Sequence, residues 1–230
     1  MKLKKIASLA LAGIMAVSML AGCGEGNGNG NSGSSSENTN TTAGYSSTLA
    51  ENLSAEAKKD YITYQDNSAD AAALEDALGN LGSVITGTVS LAPKLVPIHE
   101  INAFLGVDLV IDDFVDALDI QNPKLRLQGA VDNLVTAPDD FKRNVPVKFG
   151  MLYVIDGSVN VDKAVKQVAN EIDDDLLSQL PKESDTYEVH YTYNYTVSVS
   201  VVNKAVESVD GYNSSANFIA VTVTRVPTEA

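Results

Sequence analysis

From Tyr187 to Val201 the chain alternates without a break. Tyr187, Val189, Tyr191, Tyr193, Tyr195, Val197, Val199 and Val201 take every second position, with Glu188, His190, Thr192, Asn194, Thr196, Ser198 and Ser200 between them. Successive side chains of a strand point to opposite faces, so a period of two separates the apolar set from the polar set; a helix would scatter both around its surface. The stretch predicts a strand over 186–201 with one buried and one wet face, the pattern of an antiparallel sheet. Tyr191, Tyr193 and Tyr195 lie between valines on their face, so the row reads as core rather than as a platform for stacking sugars.

A single strand cannot bury a face by itself, and three neighbouring segments offer partners. Val145, Val147, Phe149, Met151, Tyr153 and Ile155 alternate in the same way, and Leu152 and Val154 between them predict burial on both faces. Residues 217–226 form another β-rich run. Between these segments, Val161, Ala164, Val165, Val168, Ile172, Leu176 and Leu180 form one stripe at helical spacing, with Asn160 placed to cap the start and Pro181 the end. Strands near 145–155, 186–201 and 217–226, packed by helix 161–180, predict an α+β fold. The N-terminal half reads as mainly helical. Thr48 and Glu51 have capping-box spacing ahead of a helix to about Tyr64, and a second helix runs from Ala69 to Leu78, before Gly79. Shorter helices are expected from Pro97 to Leu105 and from Asp112 to Asp119, and a strand within 81–91. The topology of residues 81–140 stays open.

At the start of the chain, Lys2, Lys4 and Lys5 precede an apolar run from Ile6 to Leu20. A charged segment followed by a short apolar one is a secretory signal, and the run is shorter than the ~18 residues of a spanning helix. It closes on Leu20-Ala21-Gly22-Cys23, which resembles the lipobox of bacterial lipoproteins. The resemblance covers only these first residues and carries no information on the family of the folded part. It implies removal of residues 1–22, a diacylglyceryl group on the Cys23 sulfur, and a protein held on the outer face of the cell membrane. Two acyl chains are what stable anchoring requires. Residues 23–47 then comprise the lipidated cysteine and a tether of Gly, Asn, Ser and Thr, too polar to offset its ordering entropy and spanning roughly 25–30 Å. A single α+β domain is expected over 48–230, within which residues 48–140 could form a helical subdomain.

Composition sets further bounds. The 230-residue chain is 44% hydrophobic, enough for a domain that buries a core without staples. Cys23 is its only cysteine, so no intrachain disulfide forms. The formal net charge is −14, and it becomes three units more negative once the lysines of the signal are removed. Such a charge repels nucleic acid and anionic lipid headgroups. The expected contacts are therefore the membrane, through the lipid on Cys23, and a cell-wall or surface-protein partner.

No motif for catalysis stands out. His99-Glu100 begins like the zinc-protease pattern H-E-x-x-H, but Ala103 occupies the second histidine position, so His99 reads as a residue of a polar helix surface. His190 falls on the wet face of the long strand, between Glu188 and Thr192. There is no G-x-S-x-G elbow and no phosphate-binding loop. Asp112, Asp116 and Asp119 share a helical face that could hold a hard cation weakly, although a solvated acidic face is the commoner meaning of such a run. The sequence therefore assigns Cys23 as lipid attachment and no catalytic residue, metal site or cofactor. It favours a non-catalytic binding or envelope-interaction module over a wall-directed hydrolase with carboxylates assembled by the fold, and over a solute-capture lipoprotein.

Overall fold

The computed structural model describes residues 44–79, 81, 84–85, 93–101, 106–130, 134, 144–183, 190–208 and 213–229. Cys23 and the signal lie outside them, as do Tyr187 and Val189. The chain is α+β, built as three layers around a six-stranded sheet. In chain order the main elements are α1 (Tyr45–Glu51), β1 (Ile62–Tyr64), α2 (Ser68–Leu78), β2 (Val84–Ile85), β3 (Val96–Pro97), α3 (Val107–Leu118), β4 (Val147–Asp156), α4 (Val161–Ile172), β5 (Tyr191–Ser208) and β6 (Asn213–Glu229).

The sheet order is β1-β5-β6-β4-β3, with β2 also on β5. β5 and β6 form a long antiparallel hairpin, in register from Tyr191 opposite Glu229 to Glu207 opposite Asn213. β4 runs antiparallel on the other side of β6, from Val147 opposite Arg225 to Asp156 opposite Ala216. The three strands expected near 145–155, 186–201 and 217–226 are thus the centre of the sheet. β1 and β2 join β5 in parallel, making the sheet mixed though mostly antiparallel.

One face buries Phe149, Met151, Tyr153 and Ile155 of β4, Tyr193, Tyr195, Val197 and Val199 of β5, and Ile219, Val221 and Val223 of β6 against α1 and α4. The opposite face buries Leu152 and Val154 of β4 and Phe218 and Ala220 of β6 against α2 and α3. The expected wet face is therefore corrected: it is covered along part of its length. Asn194 is exposed, but Ser198 and Ser200 are only 3% and 4% exposed. The same face also carries a buried acid from a helix, partnered by the two other central strands. Asp70, in the first turn of α2, accepts from Lys148 Nζ at 2.7 Å and from Thr222 Oγ1 at 2.5 Å.

The mainly helical N-terminal half is likewise corrected, since its described residues contain β1, β2 and β3 as well as three helices. The helix expected from Thr48 to Tyr64 starts earlier, at Tyr45, and stops at Glu51. Leu49, Leu53, Ala57 and Tyr64 are buried and Tyr61 is half-buried, but Ile62–Tyr64 is drawn into the sheet by the open edge of β5: Tyr195 N–H donates to the Tyr61 carbonyl and Gln65 N–H to that of Val197. The folded domain also begins before residue 48. Ser46 is fully buried and its hydroxyl accepts from Val199 N–H at 2.9 Å, filling a further position on that edge. Residues 44–47 thus belong to the domain and not to the expected tether.

α4 is capped by Asn160, whose Oδ1 accepts from Lys163 N–H. Its α-helical part ends at Ile172 rather than at Leu180. Asp173, Asp174 and Asp175 follow at once, and negative charge at a helix C-terminus opposes the backbone dipole. Asp173 has another use, accepting from Ser54 N–H (2.9 Å) and Ser54 Oγ (2.8 Å) and so tying the chain after α1 to α4. Leu176, Leu177 and Leu180 still enter the first core through a turn and a short 3₁₀ segment.

Candidate functional site

The outer edge of β4 is only briefly paired with β3, at Val96 opposite Val154 and Pro97 opposite Tyr153. Farther along, a side chain replaces a strand. Asn122 Oδ1 accepts from Gly150 N–H at 2.8 Å, and Asn122 Nδ2 donates to the Gly150 carbonyl at 2.6 Å. The amide makes the two bonds that a neighbouring backbone would make, and it shields an edge that would otherwise invite pairing. Glycine at position 150 leaves room for the neighbouring side chains: a Cβ there would stand 2.6 Å from Ile120 Cδ1 and 3.1 Å from Leu125 Cδ2, and both would have to shift.

The loop fixed in this way forms one wall of a groove. Leu125 takes a left-handed conformation, φ 49°, with its side chain buried, and the following Arg126, Leu127 and Gln128 face the groove. The second wall is Pro97 with His99 and Glu100 from the 3₁₀ turn Ile98–Glu100, held down by the fully buried Ile98. Glu171 of α4 closes the third side. Gln167, one helical turn before it, accepts from Leu95 N–H at 3.0 Å and donates to the Pro93 carbonyl at 3.2 Å, docking α4 beside the start of β3. Tyr153 of β4 lies at the base and is 2% exposed. The groove encloses about 490 Å³.

Its electrostatics are mixed. Burial holds the His99 pKa below the ordinary histidine value; the Arg126 charge adds to that effect and Glu100, with Oε1 3.9 Å from Nε2, opposes it. His99 is accordingly a neutral imidazole at pH 7, with one ring nitrogen a donor and the other an acceptor. Burial raises the Tyr153 pKa, and the nearby Glu171 charge raises it further, so the phenol stays protonated. Among the described residues, neither the Tyr153 hydroxyl nor His99 Nδ1 has a hydrogen-bond partner, although both are buried. A buried polar atom left unpaired costs about 1–3 kcal/mol, and such atoms are uncommon enough to need a reason.

The residues singled out from sequence land in separate places. His99 and Glu100 are in the groove, on a 3₁₀ turn rather than a polar helix surface; Ala103 lies outside the described residues. His190 is exposed just before β5, and Asp112, Asp116 and Asp119 are exposed along and just after α3. Tyr193 and Tyr195 are buried in the first core, where Arg225 lies over the Tyr193 ring at 4.6 Å. Among the described residues no group of three or more His, Cys, Asp or Glu is placed to hold a metal ion, and no helix is long and apolar enough to cross a membrane. Arg126, Gln128, Tyr153 and Glu171 were not singled out as site residues. Tyr153 is part of an apolar alternation and the others are isolated polar residues, so no local spacing marks them. Comparison with known protein families, with curated proteins and with solved structures finds no match for this chain.

Proposed function

We propose that the chain is a lipid-anchored protein of the outer face of a bacterial membrane, and that its folded domain is a non-catalytic binding module. The observation that carries the anchor is the run Leu20-Ala21-Gly22-Cys23, set directly after a lysine-led apolar segment. The polar segment that follows acts as a tether, and the acidic domain beyond it is repelled from anionic headgroups rather than spread on them.

The groove supports binding over hydrolysis. Glu100 and Glu171 share its lining, as a pair of catalytic carboxylates would, but the Glu100 side chain is 60% exposed and Glu171 is exposed as well. A glycosidase acid is kept protonated at neutral pH by an apolar, buried setting, which neither residue has. Solute capture by closure of two lobes is less well supported, because the groove is on the rim of one sheet.

The test of the anchor is Cys23→Ala, followed by membrane fractionation and metabolic labelling with an acyl-chain analogue. Wild-type protein is expected in the membrane fraction carrying label, and the variant without label and either uncleaved or released. A wild-type chain that stays with membranes unlabelled, and a variant that behaves identically, would refute the proposal.

A further inference from the structure

We propose that the groove between β3, α4 and the Asn122–Gln128 loop is a saccharide site, taking a neutral mono- or disaccharide. The inference rests on the binding-module reading and adds the class of ligand. The first argument is the balance of donors and acceptors. Arg126 only donates and Glu100 and Glu171 only accept, whereas Gln128, neutral His99 and Tyr153 can do either. A ligand satisfying such a lining must both donate and accept around its whole edge, which is the property of a ring bearing hydroxyls. A simple anion would meet two carboxylates, and a simple cation would meet the guanidinium.

The second argument is the pair of orphaned atoms. The Tyr153 hydroxyl and His99 Nδ1 belong to neutral groups of the lining; both are buried without protein partners among the described residues, so a ligand hydroxyl meets them once the side chains turn toward the groove. Charged ends of a zwitterion would be drawn to Arg126 and to the glutamates, leaving these two unmet. Hydroxyls suit them. Leu127 and Pro97 give the lining apolar surface for the C–H faces of a sugar ring, and the volume of about 490 Å³ lies within the ~300–1,000 Å³ of small-molecule sites. An outward-facing domain on a tether would also meet surface glycans.

The test is a titration of the mature chain, in a detergent without a sugar headgroup, followed by saturation-transfer NMR. The probes are glucose, galactose, maltose, N-acetylglucosamine and its β-1,4 disaccharide, with alanine and alanyl-alanine as zwitterions. At least one saccharide is expected to bind saturably. Tyr153→Phe and Arg126→Ala should each weaken it tenfold or more, and Asp112→Asn on α3 should leave it unchanged. Tyr153→Phe removes only an unpaired hydroxyl, so its melting temperature should hold or rise; lost binding with retained stability separates a ligand contact from a structural role. Saturable binding of alanine or the dipeptide in place of any saccharide would overturn the saccharide class while leaving a binding module standing. Saccharide binding indifferent to both groove variants would overturn the site, and no binding by any probe would overturn the proposal. Neither failure bears on the lipid at Cys23, which the labelling experiment tests separately.

Discussion

Asp70 is a charged residue 2% exposed, and the structure meets it with a cation and a hydroxyl, one on each carboxylate oxygen. Taking a carboxylate out of water is costly, and most of the penalty falls due if one partner is deleted. Lys148→Met is therefore expected to destabilise the domain by about 3–5 kcal/mol in chemical denaturation, and adding Asp70→Leu should recover much of that loss; a single variant within 1 kcal/mol of wild type would contradict the ion pair. In the sequence Asp70 is only an acid in the first turn of a helix. Its burial follows from α2 lying on the polar face of β5, a tertiary fact with no local mark. His99 gives a second test. Its folded pKa is depressed, so the unfolded chain binds a proton more readily, and stability falls as pH drops below the unfolded value of about 6.5 towards the lower folded one. The stability–pH curve of His99→Gln should lack this component; superimposable curves between pH 5 and 7 would show that His99 is not depressed.

At the scale of elements, the centre of the fold was legible and the rim was not. Strict period-two alternation marked β5, a looser alternation marked β4, a β-rich run marked β6, and a seven-residue apolar stripe marked α4, because each buries a continuous face along its own length. The rim elements have two or three residues and form only where an edge needs covering. Ile62–Tyr64 reads as the end of a helix until β5 offers it backbone partners. Asn122, followed by Pro123, reads as a helix breaker, yet its amide acts as a fragment of strand against Gly150. That pair also positions the loop carrying Arg126, which is why the candidate groove could not be found from spacing. Asn122→Ala leaves the Gly150 N–H and carbonyl without those bonds and is expected to cost about 2–4 kcal/mol. Gly150→Ala should cost about 1–3 kcal/mol through overpacking against Ile120 and Leu125. Calorimetric melts of both variants, if unchanged from wild type, would mean that the edge is not closed in this way.

For the whole molecule, a three-layer arrangement explains how a chain with a single cysteine holds together: both faces of the central strands are covered, and two cores share one sheet. The sequence pattern correctly implied a buried sheet with a helix upon it, but the alternation of β5 argued for a free polar face. That face is covered instead: Ser198 and Ser200 are small enough to be buried under it, and on the neighbouring β6 the Thr222 hydroxyl donates to the buried Asp70. The domain includes the residues from Gly44 onward, with Ser46 bonded to β5. Limited proteolysis of the native protein should therefore cut first between Gly24 and Ala43, yielding a stable fragment that starts near Gly44; a first cut within 45–79 would contradict this boundary. The most direct measurement on the central claim is the intact mass of the protein extracted from membranes. The account predicts a chain that begins at Cys23 and carries a diacylglyceryl group on its sulfur. A mature chain that begins elsewhere, or an unmodified Cys23 in membrane-bound protein, would contradict it.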